Sequence, residues 1–297
     1  MPRLARLRSY LPLALAIFVA LLCSVPSALA VDPAVIVFQG FRNAEDPSSG
    51  VYTMSPNGNN VNKITVGKQP SISRDGKKIV FVRGGEIYLT NADGDSLEQV
   101  TNDDLDHDEP VLSPDGKTIV FSGLRRGKSF PQIFAVSSDG TNERALTPGT
   151  AADSEPSFSP DGNRIVFVRG PGDSKLVTMP AGGGDVKYLT GNFPFSTPDS
   201  PSYSPNGKRI LFHAIGHNGK EPGNFIYSFD ADDGSNLDVI TKGGNEGSEP
   251  AYSPDGSSIV YRRNINLYSM DADGGNVKPL TNLSGNDGGN IGPSWGR

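Results

Sequence analysis

Short apolar runs recur along this chain in sets. One set reads "VIVF", "KIVF", "TIVF", "RIVF", "RILF" and "SIVY", ending on Phe38, Phe81, Phe121, Phe167, Phe212 and Tyr261. A second reads "GVYTM", "EIYLT", "QIFAV", "KLVTM", "FIYSF" and "NLYSM". A third marker is an apolar residue followed by threonine, at Thr65, Thr101, Thr147, Thr190, Thr241 and Thr281. The runs are rich in Val, Ile, Phe and Tyr and are bounded by Gly, Pro, Asn or Asp, which predicts strands. No segment beyond residue 30 shows the 3.6-residue apolar period of a helix. With a first strand of the form "EPSF" at Glu155, each repeat predicts four short antiparallel strands.

The polar stretches between the runs predict the connections. In "SPDG", proline presets φ, aspartate bonds to nearby backbone and glycine accepts positive φ. These Asp/Asn-Gly steps start at Asp75, Asp115, Asp161, Asn206 and Asp255, spaced by 40, 46, 45 and 49 residues. "NADG" from Asn91, "SSDG" from Ser137 and "DADG" from Asp271 predict the next hairpin in the same way. The repeated residues are therefore turn punctuation and core packing, not catalytic groups.

A four-stranded repeat of this length is the period of a β-propeller blade. The chain enters the pattern at a second strand, "AVIVF" from Ala34, and leaves it at "GPSW", Gly292 to Trp295, which matches a first strand. The fold class expected is all-β: a six-bladed propeller over residues 31–297, with one C-terminal strand joining three N-terminal ones. Closure follows physically, since an open ring leaves two unpaired sheet edges.

The stretch "EPSFSPDGNRIVFVRG" from Glu155, followed by a short aliphatic-aromatic strand, a D-G turn and an "LT" ending, resembles the WD40-like repeat of the TolB-type β-propeller. The resemblance covers Ala34 to Trp295. It implies an exported protein that serves as an interaction scaffold, in the periplasm or outside the cell. It implies an envelope or extracellular protein partner, a peptidoglycan-associated lipoprotein among the candidates. TolB itself also carries an N-terminal α/β domain. Here the first strand starts about four residues after the expected cleavage site, so no such domain is expected.

That cleavage site belongs to residues 1–30. Arg3, Arg6 and Arg8 precede an unbroken apolar run from Leu11 to Leu22, and Ala28-Leu29-Ala30 has the small-x-small form of a signal-peptidase site. Without residues 1–30, 24 basic residues face 33 acidic ones, a net charge near −9. That balance argues against nucleic acid as a partner. Cys23 is the one cysteine and leaves with the leader, so the expected mature chain is a disulfide-free, soluble monomer held by core burial.

Candidate chemistry is sparse. The chain has no G-x-S-x-G elbow, which a hydrolase of the prolyl-oligopeptidase type needs. Related propellers that act as pectate lyases use several histidines on a metal. His107, His213 and His217 come from separate places and lack ligand spacing. "DADDG" and "DADG" partly resemble a calcium loop, yet position 12 from Asp271 is Asn282, which cannot supply a bidentate carboxylate. No cofactor is expected from these motifs.

One feature stands apart. The residue before the first-strand proline is Gln69, Glu109, Glu155, Ser200, Glu249 and Gly292 in turn, and Asp106, Asp108, Asp153, Asp199, Glu246 and Asp287 lie just upstream. First strands line the channel of a propeller, so these acids are expected at one mouth, as a solvated acidic face or as a site for a cation such as Ca²⁺ or a basic partner segment. The sequence favours a non-enzymatic protein scaffold. The alternatives are a hydrolase or lyase acting on polysaccharide or peptide, and a glycan or small-molecule binder. N-terminal sequencing of the exported protein should return Val31, and a start far from that residue would refute the site.

Overall fold

The computed structural model describes residues 34–41, 49–170, 174–191, 195–217, 222–241, 247–284 and 288–297. The expected leader, residues 1–30, lies outside them, as do Glu246, Asp287 and the side chain of His217. Among the described residues no helix is long and apolar enough to cross a membrane.

The turn residues act as their chemistry dictates. In the loop from Ser159 to Arg164, Gly162 N–H donates to Ser159 O at 2.9 Å, with Gly162 at φ 72°. Ser159 Oγ donates to Asp161 Oδ1 at 2.6 Å and accepts from Arg164 N at 2.9 Å. Asp161 Oδ1 also accepts from Asn163 N at 3.1 Å. These bonds, led by the serine hydroxyl, pull the Asp161 carboxyl down to about 2. The same Ser–Asp pairing recurs at Ser73, Ser113 and Ser253, and Asn206 substitutes for aspartate beside Ser204 at 2.8 Å.

Each hairpin then extends into a four-stranded antiparallel sheet, and there are six such sheets. Blade 1 runs from the inside outward as Gly289–Gly296, Val35–Phe41, Gly50–Met54 and Asn62–Val66. The inner strands of blades 2 to 6 are Lys68–Ile72, Leu105–Leu112, Ala152–Phe158, Phe195–Tyr203 and Ser248–Tyr252. Neighbouring inner strands touch in ring order, blade 6 meeting blade 1. The C-terminal strand closes the ring against the expected N-terminal strand, with Ile36 opposite Trp295 and Val37 opposite Ser294.

The core lies between blades rather than within them. Phe38, Phe81, Phe121, Phe167, Phe212 and Tyr261 are all fully buried. Each of six apolar clusters joins adjacent blades, for example Val80, Ile87 and Leu89 of blade 2 with Ile119, Phe121 and Phe134 of blade 3. The recurrent threonine has a structural role too. Thr101, Thr147, Thr190, Thr241 and Thr281 each accept, through Oγ1, the backbone N–H of a third-strand residue at 2.9–3.1 Å. A β-branched side chain that accepts this bond fits a nearly dry position where valine would leave the N–H unsatisfied.

Trp295 is half-buried rather than fully enclosed, packing beside the cluster of Ile36, Phe38, Met54 and Val260. Truncation after Gly289 removes this side chain and unpairs the inner edge of blade 1. A loss of roughly 3–5 kcal/mol is expected, from the cost of deleting a large packed aromatic and its strand. A denaturant titration checks this, and an unchanged midpoint would refute the closure.

Candidate functional site

The inner strands surround a cavity of about 550 Å³. Its wall is built from a repeated irregularity. In every blade the pairing of the inner strand with the second strand breaks register at the residue before the proline. There Gln69, Glu109, Glu155, Ser200, Glu249 and Gly292 have φ of 51°, 56°, 54°, 50°, 53° and 57°. Residues before proline ordinarily take extended backbone, and positive φ is costly for any residue but glycine. The "EP" dipeptide is thus the corner of a β-bulge, which the sequence pattern alone presents as continuous strand.

At four of the six bulges the backbone N–H bonds to the residue at the same register in the preceding blade. Glu155 N–H donates to Glu109 Oε2 at 2.7 Å, and Gly292 N–H to Glu249 Oε2 at 2.6 Å. Ser200 N–H donates to Glu155 Oε2, and Glu109 N–H reaches Gln69 Oε1 at 3.5 Å. Gly292 has no side chain to continue the series. Gln39 of the adjacent second strand takes over, accepting Gln69 N–H through Oε1 at 2.8 Å. The acids form a belt that stitches blades together.

Electrostatics follow from this use. Glu155 is pushed up to about 8, first by burial and then by the charges of Glu109, Asp199 and Glu249. Glu109 is raised by burial and by Asp108, against hydrogen bonds from Ser122 and Glu155 N–H. Glu249 has a counter-charge, Arg262 Nη2 at 3.0 Å from Oε1. The belt therefore carries less negative charge at neutral pH than its three glutamates suggest.

The other expected acids divide. Asp108 pairs with Lys68 of the neighbouring blade at 2.5 Å. Asp106 is exposed and lies outside the cavity wall. Asp153 is fully buried and holds Arg169 with bonds of 2.7 and 2.9 Å, turned away from the channel into its own blade. Of these three and the belt glutamates, only Glu109, Glu155 and Glu249 line the cavity.

Asp199, one of the acids expected at the mouth, lines the cavity with His213, a partner that no spacing indicated. Asp199 Oδ1 lies 2.7 Å from His213 Nδ1, and Asn224 Oδ1 lies 3.1 Å from Nε2. Burial opposes the imidazolium, but Asp199, Asn224 and Glu249 outweigh it and raise the His213 pKa. At the turn end, Arg74 replaces the proline of "SPDG". Its guanidinium donates to Pro205 O at 3.3 Å, from blade 2 to the opposite blade 5, and so crosses the channel. The loss of proline at Arg74 is visible in the sequence; its reach across the ring is not.

Glu155 binds its proton more tightly in the folded chain than in the unfolded one. Its contribution to stability is thus complete below the ordinary value of 4.5 and is lost as pH rises toward about 8. The Glu155→Gln variant keeps an oxygen for Ser200 N–H and cannot ionise. Its melting midpoint should fall less than that of wild type between pH 5 and 8, and parallel curves for the two proteins would refute the shift.

Residues 84–221 match the family described as TolB beta propeller domain. No curated protein sequence matches the chain. Among solved structures, TolB from Acinetobacter baumannii is similar at 24% identity and a TM-score of 0.72, over 88% of this chain and 66% of that one. The putative TolB from Agrobacterium tumefaciens is similar at 24% identity and a TM-score of 0.66, over 86% and 90%. An oligogalacturonate lyase in complex with manganese has 16% identity and a TM-score of 0.59, over 82% and 73%. The repeated "SPDG" frame, the six four-stranded blades and the ring closed by the C-terminal strand make the chain a six-bladed β-propeller, of which residues 84–221 match the TolB beta propeller domain.

Proposed function

We propose that this protein is an exported, non-enzymatic scaffold whose channel receives a segment of an envelope or extracellular protein. The observation that carries the reading is the state of the channel side chains. Glu109, Glu155 and Glu249 hold backbone N–H groups, and Glu249 and Asp199 also hold Arg262 and His213. Glu155 is raised to about 8 and Glu249 faces Arg262, so the channel offers little negative charge to calcium. What they leave is a rigid pocket walled by prolines and aromatic rings with a few polar groups, suited to an extended peptide.

The lyase reading is weaker for this chain. Of the described histidines, His107 is buried away from the channel and His213 is held by Asp199 and Asn224, so the two do not meet at one metal. Export is supported by the arginine-led apolar leader, and a partner in the periplasm or exterior follows from it.

A photo-crosslinking residue at Ser71, on the channel wall, should give a discrete adduct with an envelope protein in living cells, and one at exposed Asn142 should not. Incubation with oligogalacturonate and Mn²⁺ should leave the 235 nm absorbance of unsaturated products flat. Turnover there, with no adduct at Ser71, would replace the scaffold by the lyase.

A further inference from the structure

At the junction of blades 2 and 3, away from the channel, stands a group that the belt does not use. His107 is 1% exposed, its ring against Phe121 with centroids 5.0 Å apart. Its Nδ1 lies 2.7 Å from Gly85 O. A carbonyl only accepts, so Nδ1 carries the hydrogen, and in the neutral ring Nε2 presents a lone pair. That Nε2 is buried with no hydrogen-bond partner. The oxygen it faces is Asp103 Oδ2, at 3.6 Å. Two acceptors are thus held face to face, an arrangement that calls for a positive charge between them.

Glu86 is the third member. One potential ligand atom from each of Glu86, Asp103 and His107 lies within 4.8 Å of the others. Both carboxylates are held in place by neighbours. Glu86 Oε2 accepts from Thr101 Oγ1 at 2.7 Å, Glu86 Oε1 from Asp103 N at 3.3 Å, and Asp103 Oδ1 from Leu105 N at 2.7 Å. Asp103 Oδ2 lies 3.6 Å from Nε2, and Glu143 stands beside the same carboxylate, its pKa raised to about 7 by burial and by Asp103. A carbonyl on Nδ1 and fixed carboxylates are the supports that metal ligands characteristically have.

Other junctions meet the same structural need without this chemistry. At the junction of blades 6 and 1, Asn266 takes the place of Glu86 and accepts from Thr281 Oγ1 at 2.8 Å, while Asn290 of blade 1 takes that of His107 and donates to the same hydroxyl at 3.2 Å. In blade 4, the position of His107 is Asp153, closed by Arg169. Neutral amides or an ion pair therefore suffice for the frame, and the histidine with two acids adds something the frame does not require.

We propose that Glu86, Asp103 and His107 bind a first-row divalent cation of the zinc type. An imidazole nitrogen favours such ions over calcium or magnesium, and two carboxylates balance the charge. Two tetrahedral ligands about 2.1 Å from zinc stand roughly 3.4 Å apart, close to the separation of Nε2 and Asp103 Oδ2. Glu86 Oε2 stands 3.8 Å from Nδ1, so a change of the Glu86 rotamer toward Nε2 would bring the third ligand to the ion, leaving a position for water. The bound ion would staple the third strand of blade 2 to the inner strand of blade 3.

The test uses the full chain stripped with EDTA and titrated with ZnCl₂ by calorimetry, beside ¹⁵N-histidine NMR. One equivalent should bind, the His107 Nε2 resonance should move on addition, and the melting midpoint should rise. Asp103→Asn and Glu86→Gln, which keep an oxygen for the N–H and hydroxyl donors, should each weaken binding at least tenfold while melting near wild type. The His213→Gln variant should bind zinc as wild type does. Zinc affinity unchanged in both Asp103→Asn and Glu86→Gln would overturn the site. So would absence of binding, or an Nε2 resonance of a protonated imidazolium paired with Asp103. Should Asp103→Asn fail to fold, the Glu86→Gln titration and the wild-type NMR shift decide.

Discussion

Each blade hides its central aromatic against the next blade. Phe121 of blade 3 packs with Val80 and Ile87 of blade 2, and Phe38 of blade 1 packs with Val260 and Leu267 of blade 6. A single sheet of this kind leaves apolar area in water on both faces, and a row of five leaves it at two ends. Burial is therefore complete only when the ring closes. The pairing of Gly289–Gly296 with Val35–Phe41 makes the closure one of backbone hydrogen bonds as well as packing. The termini of the propeller meet in one sheet, so blade 1 cannot form until the far end of the chain arrives.

Closure brings a second constraint at the centre. Six inner strands converging on one axis must bend, and the X-Pro bulge is where they do so. The left-handed corner is unfavourable for glutamine, serine or glutamate, and the interblade hydrogen bonds offset that strain. Glutamate suits the position because its carboxylate accepts strongly and its length spans the gap between blades. Repetition of glutamate has an electrostatic cost, since Glu109 and Glu155 approach each other in a poorly solvated wall. The raised pKa values, to about 8 for Glu155, are the response. Arg262 beside Glu249 is a different solution to the same problem.

The repeat thus supplies equivalent positions that individual blades fill differently. The site two residues before the belt is His107 in blade 3, Asp153 in blade 4 and Asn290 in blade 1. All three are buried, and each backbone N–H bonds to a carbonyl at the start of the neighbouring hairpin, 3.0–3.4 Å away. The backbone is common to them; the side chain is free to hold an arginine, an amide network or a metal ion. Function on such a frame comes from local departures, and Arg74 across the turn end of the channel is another.

The sequence by itself determined the strands, the turns, the number of blades and the partner of the C-terminal strand. These rest on local chemistry: proline, aspartate and glycine set the turns, and β-branched and aromatic runs set the strands. It also brought Glu109, Glu155 and Glu249 to one register, because a repeat maps equal positions onto equal places. It grouped Asp153 with them because adjacency in the chain was the available measure. The bulge separates the two residues, sending Glu155 to the channel and Asp153 to Arg169. The pairings Gln39–Gln69, Asp199–His213, Arg74–Pro205 and Glu86–Asp103–His107 were decided by tertiary structure alone. Each joins different strands or blades across a gap set by the bulge and the ring, and no spacing along the chain encodes a distance of that kind.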